Sequence, residues 1–341
     1  MGIVATVRDV AQKAGVSVGT VSNALNRPEL VNEATVAKVM DAVRELGFVR
    51  NDAARQLRLG QSRAIGMIVL DMRNPFFSAL ALGAEDRARE AGYSIVLGNS
   101  DEKGDRQAAY LNLFEEQRLR GVLVSPIGDV EARLARLKER GAAAVLVDRL
   151  GTAAVSSVSV DEVAGGRLAG EHLVAGGRTH IAYLSGPLDI RQVQDRLTGL
   201  QQVTQAHPDV TVEIVTGASM TIAEGRRCGE LIAARSARKR PDAIFACNDL
   251  MALGALQALL ASRTVRVPDD IAIVGYDDID FASAAAVPLT SIRKPAAEIG
   301  ATAVDLLLAE SEATAEPGVH RVFQPELVVR ESSAAKQAPA A

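Results

Sequence analysis

No run of apolar residues in this 341-residue chain reaches the ~18–20 needed to cross a bilayer, which excludes a membrane-spanning helix. The opening MGIVATVRDVAQ holds no apolar core of signal-peptide length, so export is not expected. Cysteine is nearly missing. Cys228 and Cys247 form no CxxC pair, which fits a reduced, cytosolic protein rather than a disulfide-stapled one. The four histidines, His172, His180, His207 and His320, show neither HExxH nor zinc-like spacing, so no metal is expected. His172 and His180 flank a helix end and read as surface or capping residues. There is no tryptophan, and aromatics make up 3%, but 48% of residues are apolar, enough for sizeable cores. Catalytic signatures are missing too. GxGxxG and GxxxxGK[ST] do not occur, and the one GxSxG match, residues 15–19, lies between two helical stretches of the head and not at a strand-to-helix elbow, so neither an enzyme nor a cofactor is expected. Excess positive charge is also lacking, and the net charge of −4 argues against a general nucleic-acid binder. The distribution is uneven, however. Residues 1–62 hold eight Lys/Arg and six Asp/Glu, a balance of +2, which leaves −6 for the rest. Only the head is expected to meet a polyanion.

The length suits two or three domains. Residues 1–50 read as three short helices. Thr6 and Asp9 make a capping-box-like start, and Val7, Val10, Ala11 and Ala14 follow on one face. Gly15 permits a tight turn. Ser17 caps a second helix with Val21 and Leu25 inward. Asn32 caps a third, with Val36, Val39, Met40 and Val43 inward and Gly47 as its stop. The spacing Ala11-x3-Gly15-x5-Val21 lets two helices cross closely, which is the helix-turn-helix signature. Residues 51–62 read as a hinge helix and linker, with Asn51 as cap and Gly60 as stop. A helix that short is marginal alone, so order there depends on something holding it. From residue 63 short apolar runs such as AIGMIVLD, GVLVSP and AIFACND alternate with amphipathic stretches. This is the pattern of parallel sheets covered on both faces. Two such series predict two doubly wound α/β lobes: 63–162 with 293–321, and 163–292 with 322–332. The chain crosses between them near 148–166 and 290–300, FQPELVVRES supplies a last edge strand, and 333–341 is a frayed tail.

Open α/β sheets bind ligands at the carboxyl ends of their strands. Those ends are polar here: Asp71, Asn74, Asn99, Asp101, Asp148 and Arg149 in the first lobe, Asn248, Asp249, Asp277 and Asp278 in the second, with Arg196 in a nearby helix. Carboxylates, amides and guanidinium groups converging on a cleft suit a polyhydroxylated ligand. Phe76 and Phe77 offer a wall for a sugar's C–H face.

The segments TVRDVAQKAGVSVGTVSNALN, NDAARQLR, NPFF, VDR, ACNDLMALGAL and VGYDD resemble the lactose-repressor/galactose-repressor family of bacterial transcription regulators over residues 6 to about 332. The body resembles that family's type-I periplasmic-binding-protein core. The resemblance implies a homodimer, sometimes a tetramer, on a near-palindromic double-stranded operator in the cytoplasm. It places Leu57 as a minor-groove wedge at the dyad, flanked by the basic hinge positions Arg55 and Arg58. The DNA-contacting positions of the head are then Thr6, Ser17, Val18, Gly19, Thr20, Ser22, Asn23 and Asn26. Thr20, Ser22 and Asn26 hold phosphates, and Asn23 is the best base reader. Val18 meets a thymine methyl, and Gly19 lets the backbone approach. Ribose-binding relatives match Asn74, Phe76, Phe77, Asp148, Arg149, Arg196, Asn248 and Asp277 at ligand-contacting positions. Two positions depart: Ser219 or Met220 stands for an aromatic wall, and Lys294 for a glutamine. The departures count against ribose itself but keep a monosaccharide or related polyol as the expected effector. A purine effector is disfavoured, because purine-repressor relatives have an aromatic residue where this chain has Arg149. Two other readings stay open: a solute-binding transport protein with the same core, and an α/β enzyme.

Overall fold

The computed structural model describes residues 5–48, 62–312 and 318–334. The chain divides into two compact units, residues 1–61 and 62–341.

The first unit is helical: α1 (Val7–Ala14), α2 (Val18–Asn26), a single 3-10 turn (Pro28–Leu30) and α3 (Glu33–Leu46). Its ends are fixed locally, as the caps require. The Thr6 amide donates to Asp9 Oδ2 at 2.7 Å while the Asp9 amide donates to Thr6 Oγ1 at 3.4 Å. Gly15 ends α1 at φ +66°, a left-handed turn that admits glycine without strain. The core is Val10, Ala11, Val21, Ala24, Val39 and Ala42. Met40, expected inside, is 41% exposed. At 3.6 residues per turn Val39, Ala42, Val43 and Leu46 share one stripe, and Met40 lies about 100° round from Val39.

The second unit holds two six-stranded sheets of the same winding. Lobe 1 contains β1 (Ala64–Val69), α4 (Pro75–Glu90), β2 (Ser94–Asn99), α5 (Gly104–Glu116), β3 (Gly121–Val124), α6 (Glu131–Glu139), β4 (Ala143–Val147) and β5 (Ser156–Val160). Lobe 2 contains α7 (Glu162–Ala175), β6 (His180–Ser185), α8 (Arg191–Gln205), β7 (Thr211–Thr216), α9 (Ile222–Ala233), β8 (Ala243–Ala246), α10 (Asp249–Ser262), β9 (Ala272–Asp277), α11 (Asp280–Ser283) and β10 (Thr290–Arg293). The chain then returns to lobe 1 for α12 (Ala296–Ser311) and β11 (His320–Phe323), and ends in lobe 2 with β12 (Glu326–Val328).

Strand order is β2-β1-β3-β4-β5-β11 in lobe 1 and β7-β6-β8-β9-β10-β12 in lobe 2. All pairings are parallel except β10 with β12, the expected edge strand. Central strands such as β1, β3, β4 and β8 are buried and aliphatic, as strands covered on both faces must be. Helices α4 and α12 cover one face of lobe 1 together, and glycine sets their separation. A Cβ on Gly83 would stand 2.1 Å from the Ala297 carbonyl oxygen, and one on Gly300 2.0 Å from that of Leu80.

The lobes exchange chain three times: after β5, after β10 and after β11. The last crossing was expected between 321 and 322. It falls after Phe323, which still pairs with Val160 of β5. The half-exposed β11 gives no apolar pattern from which to place its end.

Candidate functional site

In the head, the expected DNA-contacting residues gather on and beside α2. Ser17 caps it, accepting from the Thr20 amide at 3.0 Å, and its hydroxyl lies 2.9 Å from that of Thr20. Val18 is 42% exposed, and Gly19 and Asn23 are exposed beside it, while Val21 and Ala24 face the core. Asn26 folds back, Nδ2 donating to the Ser22 carbonyl at 2.7 Å. Thr6 is engaged in its capping box. The hinge positions Arg55, Leu57 and Arg58 lie outside the described residues.

In the second unit, seven of the eight expected effector residues line one narrow cavity between the lobes: Asn74, Phe76, Phe77, Asp148, Arg196, Asn248 and Asp277. Topology brings them together. Asn74 caps α4 after β1, accepting from the Phe76 amide at 3.0 Å. Asp148 follows β4. Asn248 caps α10 after β8, accepting from the Met251 amide at 2.9 Å. Asp277 ends β9. Asp148 and Asp277 both hold left-handed backbone, at φ +59° and +104°. Strained non-glycine residues cluster at functional sites, and here the turn aims each carboxylate off its strand into the cleft.

The eighth residue, Arg149, is not brought in. Its guanidinium donates to the Gly128 carbonyl, and it lines a separate groove with Arg191 and Asp195. The left-handed turn at Asp148 sends the two neighbours opposite ways. Asp249 and Asp278 are structural. Asp249 is buried, accepts from Ser291 Oγ at 2.6 Å, and burial with nearby Asp277 pushes its carboxyl well above the usual range. Asp278 pairs with Arg293 and Arg330. Asp71 and Asp101 both pair with Arg73. His172 bonds Ser333, and His180 faces Glu213.

Six residues missing from the expected contact set complete the cavity: the aliphatic Leu70, Ile190 and Val193, and Gln192, Met220 and Lys294. Gln192 of α8 crosses to lobe 1, Nε2 donating to the Asp148 carbonyl at 2.7 Å. Met220 lines the cavity from lobe 2. Lys294, on the crossing after β10, is 1% exposed at its side chain. Its ammonium lies 3.0 Å from Asp148, 3.2 Å from Asp277, 3.6 Å from Glu162 and 3.6 Å from the centre of the Phe76 ring. Arg196 is fastened as well. Nε donates to Glu162 at 2.8 Å, Nη1 donates to the Cys247 carbonyl, and the guanidinium stacks 3.7 Å above Tyr276. Burial alone would raise the Glu162 carboxyl, but Arg196 and Lys294 overcome it and hold the group below the usual range. Burial pushes the Asp148 carboxyl up to about 6 in spite of Lys294.

Glu102, after β2, reaches the Met220 amide across the cleft. Burial, then Asp71, pushes its carboxyl up to about 7. A raised carboxylate contributes stability below its unfolded pKa and loses it as pH rises through the folded one. Glu102→Gln should therefore match the parent near pH 4 and melt higher at pH 8, by roughly 2–4 °C for each kcal/mol recovered. Parallel melting curves from pH 4 to 8 would contradict the shift.

Among the described residues no helix is long and apolar enough to cross a membrane. Residues 6–51 match the family described as bacterial regulatory proteins, lacI family, and residues 170–333 match the periplasmic binding protein-like domain. The chain is 35% identical over 340 residues to the HTH-type transcriptional repressor PurR of Aliivibrio fischeri, covering 96% of this chain and 98% of that one. It is also 35% identical over 333 residues to the ribose operon repressor of Escherichia coli, covering 95% and 94%. The solved lac repressor dimer bound to operator and the anti-inducer ONPF superposes with a TM-score of 0.84 at 30% identity, covering 97% of this chain and 99% of that one. A helix-turn-helix head, two like-wound lobes with a polar cleft, and near full-length identity agree: the chain belongs to the lacI family of bacterial regulatory proteins.

Proposed function

We propose that this protein is a transcriptional repressor. It grips a near-palindromic operator as a homodimer and is governed by a small sugar or related polyol held between its lobes. The observation that carries the effector half is the convergence of Asn74, Asp148, Asn248 and Asp277 from four different strand ends on one cavity walled by Phe76 and Phe77. Carboxylates and amides facing an aromatic wall match adjacent hydroxyls on one side and C–H groups on the other. The dimer half draws on exposed Val96 and Leu97 of edge strand β2, with Leu82 and Leu113 on the helices beside it. Exposed apolar side chains of this kind mark association surfaces. Repression rather than transport follows from the head, which a solute carrier has no use for.

A gel-shift assay of the full chain against genomic fragments, with and without a sugar panel, tests the reading. Specific complexes altered by one sugar support it. No specific complex at moderate salt under any condition defeats it. Leu57→Ala should weaken operator binding by about 10-fold or more, since an intercalating wedge offsets unstacking of a few kcal/mol per step, while leaving effector affinity unchanged. Unaltered operator affinity in that variant would remove the wedge.

A further inference from the structure

The cavity's hydrogen-bond inventory is lopsided. Each of its donor side chains already bonds the protein itself. Asn74 Nδ2 donates to Asp277 at 2.9 Å, Asn248 Nδ2 to the Met220 carbonyl at 3.0 Å, Gln192 Nε2 to the Asp148 carbonyl, and Arg196 to Glu162 and Cys247. Two of its acceptors do not. Gln192 Oε1 and Asp277 Oδ1 are both buried and accept no aligned hydrogen bond, although Asp277 Oδ1 lies 3.2 Å from the Lys294 ammonium. A buried acceptor without a donor is destabilising, so this site gains most from a molecule rich in donors. Charge points the same way. Asp148, Glu162 and Asp277 face Arg196 and Lys294, three negative groups against two positive, all buried. A further anion would enter a site already negative, without a free cation to meet it.

Lys294 is a donor that reaches carboxylates of both lobes at once. It sits on a crossing segment, and its ammonium touches Asp148 of lobe 1 and Asp277 of lobe 2. Glu162, on the other early crossing, completes its surroundings at 3.6 Å. Together with Asn74–Asp277 and Gln192–Asp148, it ties the lobes through contacts of the protein's own.

We propose that Lys294 acts as an internal ligand: its ammonium stands where an effector's donors belong, draws the two lobes together by itself, and limits the effector to an uncharged, donor-rich molecule that takes over the Asp148 and Asp277 carboxylates. The uncharged-effector half rests on the sugar reading above; the tether half does not. The resemblance to ribose-binding relatives has a glutamine at this position, and a neutral amide has no charge with which to hold two carboxylates.

The experiment has two arms, both on the full chain. In the first, small-angle scattering and amide hydrogen exchange compare the parent with Lys294→Met, without added sugar. The variant should show a larger radius of gyration and about tenfold or faster exchange over residues 74–77 and 190–193, with the buried strand β8 still protected. Asp148→Asn, which keeps Lys294 and neutralises only the lobe 1 end, should open less; it serves if Lys294→Met does not fold. Scattering and exchange like the parent's in the folded variant overturn the tether. In the second arm, calorimetry pairs D-ribose with D-ribose 5-phosphate and D-galactose with D-galacturonate. Binding should fall at least about 100-fold from the neutral to the acidic member, because uncompensated like charge costs several kcal/mol. An acidic member that binds as tightly as its neutral partner overturns the selection for uncharged ligands. If no sugar binds, the sugar reading loses its support while the first arm still decides the tether.

Discussion

Asn23→Ala is expected to lower specific operator affinity by about 1–3 kcal/mol for each half-site, and so by twice that for a symmetric dimer. The reason is what remains on the outer surface of α2. Ser17 and Thr20 are occupied with the helix start, and Asn26 is tied to the Ser22 carbonyl. Val18 offers a methyl surface, and Gly19 offers backbone. Asn23 is left as the exposed amide able to reach a base edge in two places, with adenine N6 and N7 as its match. The change should not disturb the head itself, since alanine is the better helix former and Asn23 is exposed. Anisotropy titrations at several salt concentrations check it. A base contact predicts a loss confined to the operator with an unchanged salt slope. An equal loss on random duplex, with a shallower slope, would make Asn23 a phosphate contact instead.

Arg196→Met should be the most damaging single change in the core, at about 3–5 kcal/mol, because it leaves a buried carboxylate without its main partner. Arg196 and Glu162 are both nearly fully buried, 2.8 Å apart at their closest. The variant also forfeits the bond to the Cys247 carbonyl and the stacking on Tyr276. A melting temperature lower by on the order of 10 °C at pH 7 is expected. The pH dependence supplies a second readout. A carboxylate held below its usual range contributes stability above its unfolded pKa and loses it as pH falls through the folded one. The gap between parent and variant should therefore narrow from pH 5 towards pH 3. Adding Glu162→Gln to the variant should recover part of the loss, since the orphaned charge goes with it. A double variant no more stable than Arg196→Met alone would assign the damage to lost packing.

The local features of this protein are legible in its sequence because they are made by neighbours. Thr6 with Asp9, Gly15, Ser17 with Thr20, and Asn32 act within four residues, and each stands where the spacing placed it. The lobes were legible because aliphatic runs and amphipathic stretches alternate. Four cleft residues, Asn74, Asp148, Asn248 and Asp277, stand at strand ends, and the resemblance to ribose-binding relatives separated them from Asp71, Asp101, Asp249 and Asp278. The remainder depends on distance or on backbone geometry. Lys294 stood out only as a departure, since its partner Asp148 is 146 residues away in sequence. Gln192 lies one helical turn before Arg196 on the same face of α8, and that four-residue spacing was the signal that could have found it. Arg149 failed because a left-handed residue before it reverses the expected direction, and nothing in VDR announces a positive φ.

The three crossings between the lobes have a consequence for how the protein is made. The sheet of lobe 1 begins at Ala64, but β11 at its edge ends at Phe323, and α12, which covers one face, ends at Ser311. A nascent chain that has just emerged through β5 therefore carries a half-clad sheet. On the face that α4 shares with α12, only α4 is then in place, and the apolar side chains of β3, β4 and β5 beneath α12 stay uncovered until more than 130 further residues have been translated. Lobe 2 lies wholly within that interval, apart from its last strand, so it can collapse first on the ribosome. Lobe 1 must wait, exposed to chaperones and to aggregation, until the segment bearing Lys294 and α12 arrives. Fragments ending near residue 290 should accumulate as insoluble material rather than as a working half-protein.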